Sequence, residues 1–180
     1  ITDLYFKSFN YYTTLDNISV LFSVICFLLF LNAINMFDGI NMQVAMYSFF
    51  VLFIIAITSK LIFIIIPFLI CLVAILILNY QNKLFLGDGG ALLIAYLIAY
   101  FIVKMHNHFE IIQPEEIFLL MMIPGIDMFR LFIVRIINNK NPFLPDNKHL
   151  HHLLLENMGY FKSLILIQTI IILPNLLYYF

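Results

Sequence analysis

Charged residues make up only 11% of this 180-residue chain, tryptophan is absent, and there are just two cysteines, six glycines and six prolines. A soluble domain carries about a quarter charged residues. So little charge, with 64% apolar residues, excludes an ordinary soluble domain and points to an integral membrane protein. The net charge of -1 and the lack of any basic stripe exclude a nucleic-acid-binding role. Cys26 and Cys71 both lie inside apolar runs, where they act as small hydrophobes and not as a disulfide or metal pair. Low-complexity tracts, internal repeats and a separate soluble domain are also missing. Residue 1 is Ile, with neither an initiator Met nor a signal-peptide pattern ahead of the first apolar run, so the chain is expected to be the later part of a longer protein.

What is present is a series of apolar stretches of roughly the 20 residues a helix needs to cross the ~30 Å hydrocarbon core. Six stand out: Ile18–Met36, Val44–Thr58, Leu61–Leu78, Ala91–Val103, Ile117–Ile137 and Leu164–Phe180. Ser59-Lys60 reads as a tight corner. Without it, residues 44–78 would form a helix about 52 Å long, well beyond a bilayer even when tilted. The expected fold is therefore all-α: one transmembrane domain over residues 1–180, a polytopic bundle of about six helices.

Three polar islands interrupt these runs: Asn32–Gly39, Phe85–Gly90 and Asn141–His152. They follow the first, third and fifth spans, so all three share one face of the membrane. Lys83, Arg135, Lys140, Lys148 and Lys162 lie on that face. Lys7, Lys60 and Lys104 lie on the other, beside Glu110, Glu115 and Glu116. The positive-inside rule makes the island face cytoplasmic. Polar groups beside a bilayer are costly and mark function by default, so the islands predict one assembled site.

In the first island Asn32, Asn35 and Asp38 recur every three residues, within about a third of a helix circumference. Asn32 alone reads as glue between helices, whereas Asp38-Gly39 reads as a site acid at a chain reversal. In the second, Gly87-Asp88-Gly89-Gly90 places a carboxylate in pliable backbone leading into a helix. This suits Mg²⁺ held between Asp88 and phosphate, or equally a glycine turn with Asp88 as an N-cap. In the third, Pro142 and Pro145 stiffen a loop that crowds His149, His151 and His152 beside Lys148. A zinc site lacks the spaced ligands. An anion-binding cluster able to hold a diphosphate fits better, with His also able to exchange protons near neutral pH. In the fifth span Asp127 and Arg130 are three apart on one helix face, after an expected break at Pro124-Gly125. A structural ion pair accounts for Arg130, while Asp127 is a candidate for supporting the site.

These residues resemble the polyprenyl-phosphate N-acetylhexosamine-1-phosphate transferases, above all the bacterial undecaprenyl-phosphate N-acetylglucosamine-1-phosphate transferases that begin lipopolysaccharide O-antigen, enterobacterial common antigen or teichoic acid linkage synthesis. Asn32–Gly39 looks like the family's N-A-x-N-M-x-D-G, Phe85–Gly90 like F-M-G-D-x-G, Ile123–Arg135 like its P-x-x-D segment, and Pro142–His152 like P-F-x-P-D-x-x-H-x-H-H. The resemblance implies attack of a lipid phosphate on the β-phosphorus of a UDP-N-acetylhexosamine, with UMP leaving, in a multi-pass protein of the inner (plasma) membrane. It implies Mg²⁺, with Mn²⁺ as an alternative, and membrane partners that include the lipid and a second copy of the chain as a homodimer. The implied site has Asp88 on the metal, Asp38, His149, His151 and His152 as catalytic groups, and Asn32, Asn35, Lys148 and Asp127 on substrate.

Three departures qualify the likeness. Asn41 replaces the second acid of the usual D-G-x-D-G-L. Asn147 and Ala91 stand where relatives commonly have Arg and Ser. The family's adjacent aspartate pair is missing, and Glu115-Glu116 falls on the opposite face, so the N-terminal half is expected to lie outside this chain. Two competing readings follow: a transporter or channel fragment, which needs polar groups near the midplane, and a non-catalytic relative that binds lipid diphosphate.

Overall fold

A computed structural model of the protein describes residues 1–59, 61–139, 141 and 149–179. The chain begins with an antiparallel hairpin, β1 (Asp3–Phe6) and β2 (Tyr11–Thr14), in which Asp3 faces Thr14 and Phe6 faces Tyr11. Seven helices follow among the described residues: α1 (Ser19–Phe37), α2 (Gln43–Ser59), α3 (Ile62–Tyr80), α4 (Gly87–Asn107), α5 (Pro114–Ile137), α6 (Leu150–Met158) and α7 (Tyr160–Tyr179). Helices are the natural answer to these apolar runs, because each closes its backbone hydrogen bonds within one segment and needs no water in the hydrocarbon.

Each of the six expected spans is a helix. Five of them, α1 (with the short turn ahead of it), α3, α4, α5 and α7, have the length and apolarity to cross a membrane. The remaining one, α2, has 17 residues and is shorter, about 26 Å at the helical rise. Helix α2 ends at Ser59 and α3 begins at Ile62, so the hairpin reading holds in place of one long helix.

The core is built around α2, whose Val44, Tyr47, Val51 and Ile55 are fully buried. It packs against α3, α4 and α7, while α1 packs on α4 and α5. In contrast, α1 exposes Val20, Leu21, Val24 and Leu28, and α3 exposes Phe63, Ile64 and Ile70. A helix apolar all round with one face uncovered is what a lipid-facing span requires.

The expected break at Pro124-Gly125 is not there: α5 runs unbroken from Pro114 to Ile137 with Pro124 inside it. Proline has no N–H, so the carbonyl four residues earlier, on Leu120, loses its helical donor. Tyr47 of α2, fully buried, donates its hydroxyl to that Leu120 carbonyl at 3.1 Å. Asn175 of α7 donates to the Leu119 carbonyl at 3.3 Å. Neighbouring helices thus supply donors beside the proline, which is how membrane helices tolerate it.

Opposite the islands, the hairpin is tied to the α4–α5 turn. The His106 Nε2 lies 2.9 Å from the Asp3 carbonyl and its Nδ1 2.9 Å from the Ile112 carbonyl. Ser8 donates its backbone N–H to Glu115 Oε1 at 2.8 Å. Neither the hairpin nor α6 was among the sequence expectations.

Candidate functional site

The site forms where the island ends of α1, α3, α4, α5 and α6 meet. Helix α1 ends at Phe37, and Asp38 sits just past it as the C-cap, its N–H donating to the Asn35 carbonyl at 3.3 Å. The chain then reverses through Gly39 to Met42, whose φ of +69° marks the turn, and enters α2. Two asparagines outside the islands brace this reversal. Asn79, buried at the end of α3, accepts the Met42 N–H and donates to the Leu84 carbonyl at 2.7 Å. Asn41 donates to Asn82 Oδ1 at 2.7 Å. The segments just after the first island and just before the second are therefore joined through the end of α3, and Tyr160 of α7 adds a hydrogen bond to the Asn41 carbonyl at 2.9 Å. The sequence reading missed Asn79, Asn82 and Tyr160. The available signal was the polar run Asn79-Tyr80-Gln81-Asn82 closing an otherwise apolar span.

Asp88 lies exposed in the first turn of α4, where the helix dipole favours a carboxylate. It is close enough to Asp38 for the two charges to interact. Burial first, and the Asp88 carboxylate second, push the Asp38 carboxyl up to about 6. A cation near two acids offsets their mutual repulsion.

Asp127, halfway along α5, gathers the third island. Its Oδ1 accepts from Arg130 Nη2 at 2.9 Å, Arg130 Nε at 3.2 Å and the Leu150 N–H at 3.1 Å. Its Oδ2 lies 3.0 Å from His149 Nδ1. The expected Asp127–Arg130 pair is thus present, and it forms part of a larger junction. His149 is the N-cap of α6, but the first N–H of that helix is met by Asp127 from α5.

From His149 the imidazoles form a ladder. The His149 and His151 rings are parallel, 2° apart in plane and 5.4 Å between centroids, and His152 lies 4.2 Å from His151. His151 is only 1% exposed, and neither ring nitrogen has a hydrogen-bond partner among the described residues. Burial, then the neighbouring His152 and His149 rings, push its imidazole down to about 4. His151 also lies directly against the Gly39 backbone, which brings the third island onto the first.

The structure therefore brings together Asp38, Asp127, His149, His151 and His152, with Asp88 beside Asp38. Asn35 is half-buried with its Oδ1 unpaired among the described residues. Asn32 is exposed and bonds back to the Leu28 carbonyl of its own helix at 3.0 Å, so it does not glue one helix to another. Lys148, with Pro142 and Pro145, lies outside the described residues. Among the described residues no group of three or more His, Cys, Asp or Glu is arranged to hold a metal ion. Mg²⁺ commonly needs only one or two carboxylates, taking its other ligands from water and substrate phosphate, so the Asp38 and Asp88 pair has a donor set that suits it.

A family model described as glycosyl transferase family 4 matches residues 1–106, more than half of the chain. The chain is 31% identical over 158 residues to an undecaprenyl-phosphate alpha-N-acetylglucosaminyl 1-phosphate transferase of Thermotoga maritima, covering 87% of this chain and 50% of that protein. It is 30% identical over 81 residues to the protein of the same description from Escherichia coli K12, and 31% identical over 85 residues to that of Salmonella typhi. Each of these two matches covers 44% of this chain and 22% of the relative. The chain thus spans half or less of the length of these relatives. No solved structure matches it significantly. Its polar site and several membrane-spanning helices accord with these likenesses, and the protein is a multi-pass membrane member of glycosyl transferase family 4.

Proposed function

We propose that this chain supplies the phosphate-handling part of a transferase that moves N-acetylhexosamine 1-phosphate from a UDP-sugar to a membrane polyprenyl phosphate. A phosphate oxygen of the lipid bonds to the β-phosphorus of the donor, the bond from that phosphorus to the bridging oxygen breaks, and UMP departs. The product is a polyprenyl diphosphate carrying the sugar, as cell-envelope polysaccharide synthesis requires. One observation carries the reading: three acids and three imidazoles from segments far apart in sequence converge, with Asp38 beside Asp88, Gly39 against His151 and Asp127 against His149.

His149, His151 and His152, with Lys148, hold the diphosphate. Asp38 and Asp88 would hold Mg²⁺, which supplies offset for charge on the phosphates. Asn35 has a buried amide oxygen without a partner among the described residues, and Asn32 an exposed side chain at the same helix end; both would contribute to substrate binding. The site faces the cytoplasm of the inner membrane, where UDP-sugars are found. The transporter reading needs polar groups deep in the membrane, for which Asp127 and Arg130 were the candidates. Both groups are engaged within the protein, Arg130 by Asp127 and Asp127 by His149 as well, which suits a supporting role better than the lining of a path.

The test is exchange of labelled UMP into UDP-N-acetylglucosamine by membranes bearing the full-length gene product, with polyprenyl phosphate and Mg²⁺ added. Exchange that needs both lipid and metal supports the proposal. Diphosphate-lipid binding without exchange would favour a non-catalytic relative, and solute uptake without exchange would favour a transporter.

A further inference from the structure

We infer that Asp127 is a positioning residue that fixes the tautomer of His149 and acts on the substrate only through it; the inference rests on the transferase reading above. An ionised carboxylate can only accept hydrogen bonds. With Asp127 Oδ2 at 3.0 Å, His149 Nδ1 must carry a proton, and Nε2 is the ring nitrogen left to meet an anion. The other carboxylate oxygen is fully engaged by Arg130 and the Leu150 N–H.

The arrangement is over-determined, as a positioning group needs to be. Arg130 holds the carboxylate from the following turn of α5. The Leu150 N–H locks the start of α6 to the same oxygen. His149 therefore cannot rotate about its ring without losing its partner, nor slide without uncapping α6. When Nε2 takes a proton, the same carboxylate stabilises the imidazolium against the phosphate it faces. Orientation of an imidazole by a buried carboxylate is known to govern both ring position and basicity.

The charge of Asp127 is what matters, so Asp127→Asn is the informative change. Its amide oxygen must stay where Arg130 and Leu150 both donate, which turns the amide NH₂ toward His149 Nδ1. Two donors then face each other, and His149 relieves the clash by moving its proton to Nε2. Asp127→Glu keeps the charge with a longer reach and should restore part of the function.

Two measurements test this. Nitrogen-15 spectra of histidine-labelled protein in nanodiscs should show His149 protonated on Nδ1, switching to Nε2 in Asp127→Asn. Finding Nε2–H in the unsubstituted protein, or no switch in the variant, would overturn the inference whether or not the chain catalyses exchange. In the exchange assay, Asp127→Asn should lose about 10- to 100-fold in kcat with little change in KM. Asp127→Asn combined with His149→Gln should be no worse than His149→Gln alone. Multiplying losses in the double variant would show that Asp127 acts independently of His149.

Discussion

Gly39 and His151 approach so closely that a Cβ added at residue 39 would lie 1.7 Å from His151 Nε2. The ring cannot simply step aside, because it is buried and lies between His149 and His152. Gly39→Ala should therefore displace the ladder and cost about 1–3 kcal/mol, the usual range for overpacking. Thermal unfolding in detergent checks the loss. Adding His151→Ala should recover most of it, since the obstruction is then gone.

His151 also predicts a pH dependence. Its folded-state imidazole is held near 4, below the ordinary value of 6.5. The unfolded chain then takes up a proton before the folded one does, so this group's contribution to stability is complete above pH 6.5. It declines as the pH falls from 6.5 to 4 and changes no further below that. The full shift corresponds to roughly 3 kcal/mol. Melting curves across that window should flatten in His151→Gln. A bound diphosphate should flatten them too, by favouring the protonated ring.

Removing the Tyr47 hydroxyl should leave the Leu120 carbonyl, four residues before Pro124, without its donor. Tyr47→Phe should cost about 1–3 kcal/mol, as for an orphaned buried acceptor. In a Pro124→Ala background the restored backbone N–H makes the hydroxyl redundant, so the same change should cost much less. Comparing the melting temperatures of the four proteins measures the coupling.

Asp88→Asn should abolish exchange that depends on Mg²⁺ in the full-length product. Exchange at the unsubstituted rate, across a Mg²⁺ titration, would remove Asp88 from the metal site.

Across the membrane, His106→Ala should free the hairpin, because both ring nitrogens face carbonyls, one of them on Asp3. Hydrogen exchange of residues 3–14 should speed up while that of α2 stays unchanged.

The spans and their order were legible because membrane length is a one-dimensional constraint: apolar residues can be counted without knowing what they touch. Counting also placed the islands on one end, as the interaction of Asp38 with Asp88 and the approach of Gly39 to His151 bear out. What failed needed partners remote in sequence. Pro124 looked like a break because Tyr47, which supplies a donor there, is 77 positions away on another helix. Asp127 was singled out, but nothing local links it to His149. Two local signals went unused. Gly159, at φ +75°, ends α6. Around a turn with Asn10 in the left-handed region, Leu4–Phe6 and Tyr11–Thr14 carry the aromatic and β-branched residues that strands favour.

The contact between Gly39 and His151 joins parts of the chain more than a hundred residues apart. At ribosomal speeds of about 5–20 residues per second, the histidines emerge several seconds or more after the glycine they will meet. During that interval the first two islands stand in the bilayer as acidic ends without the ladder that faces them. A nascent chain halted before His149 therefore carries the acids but none of the ladder, and the site cannot close until that last island has been made.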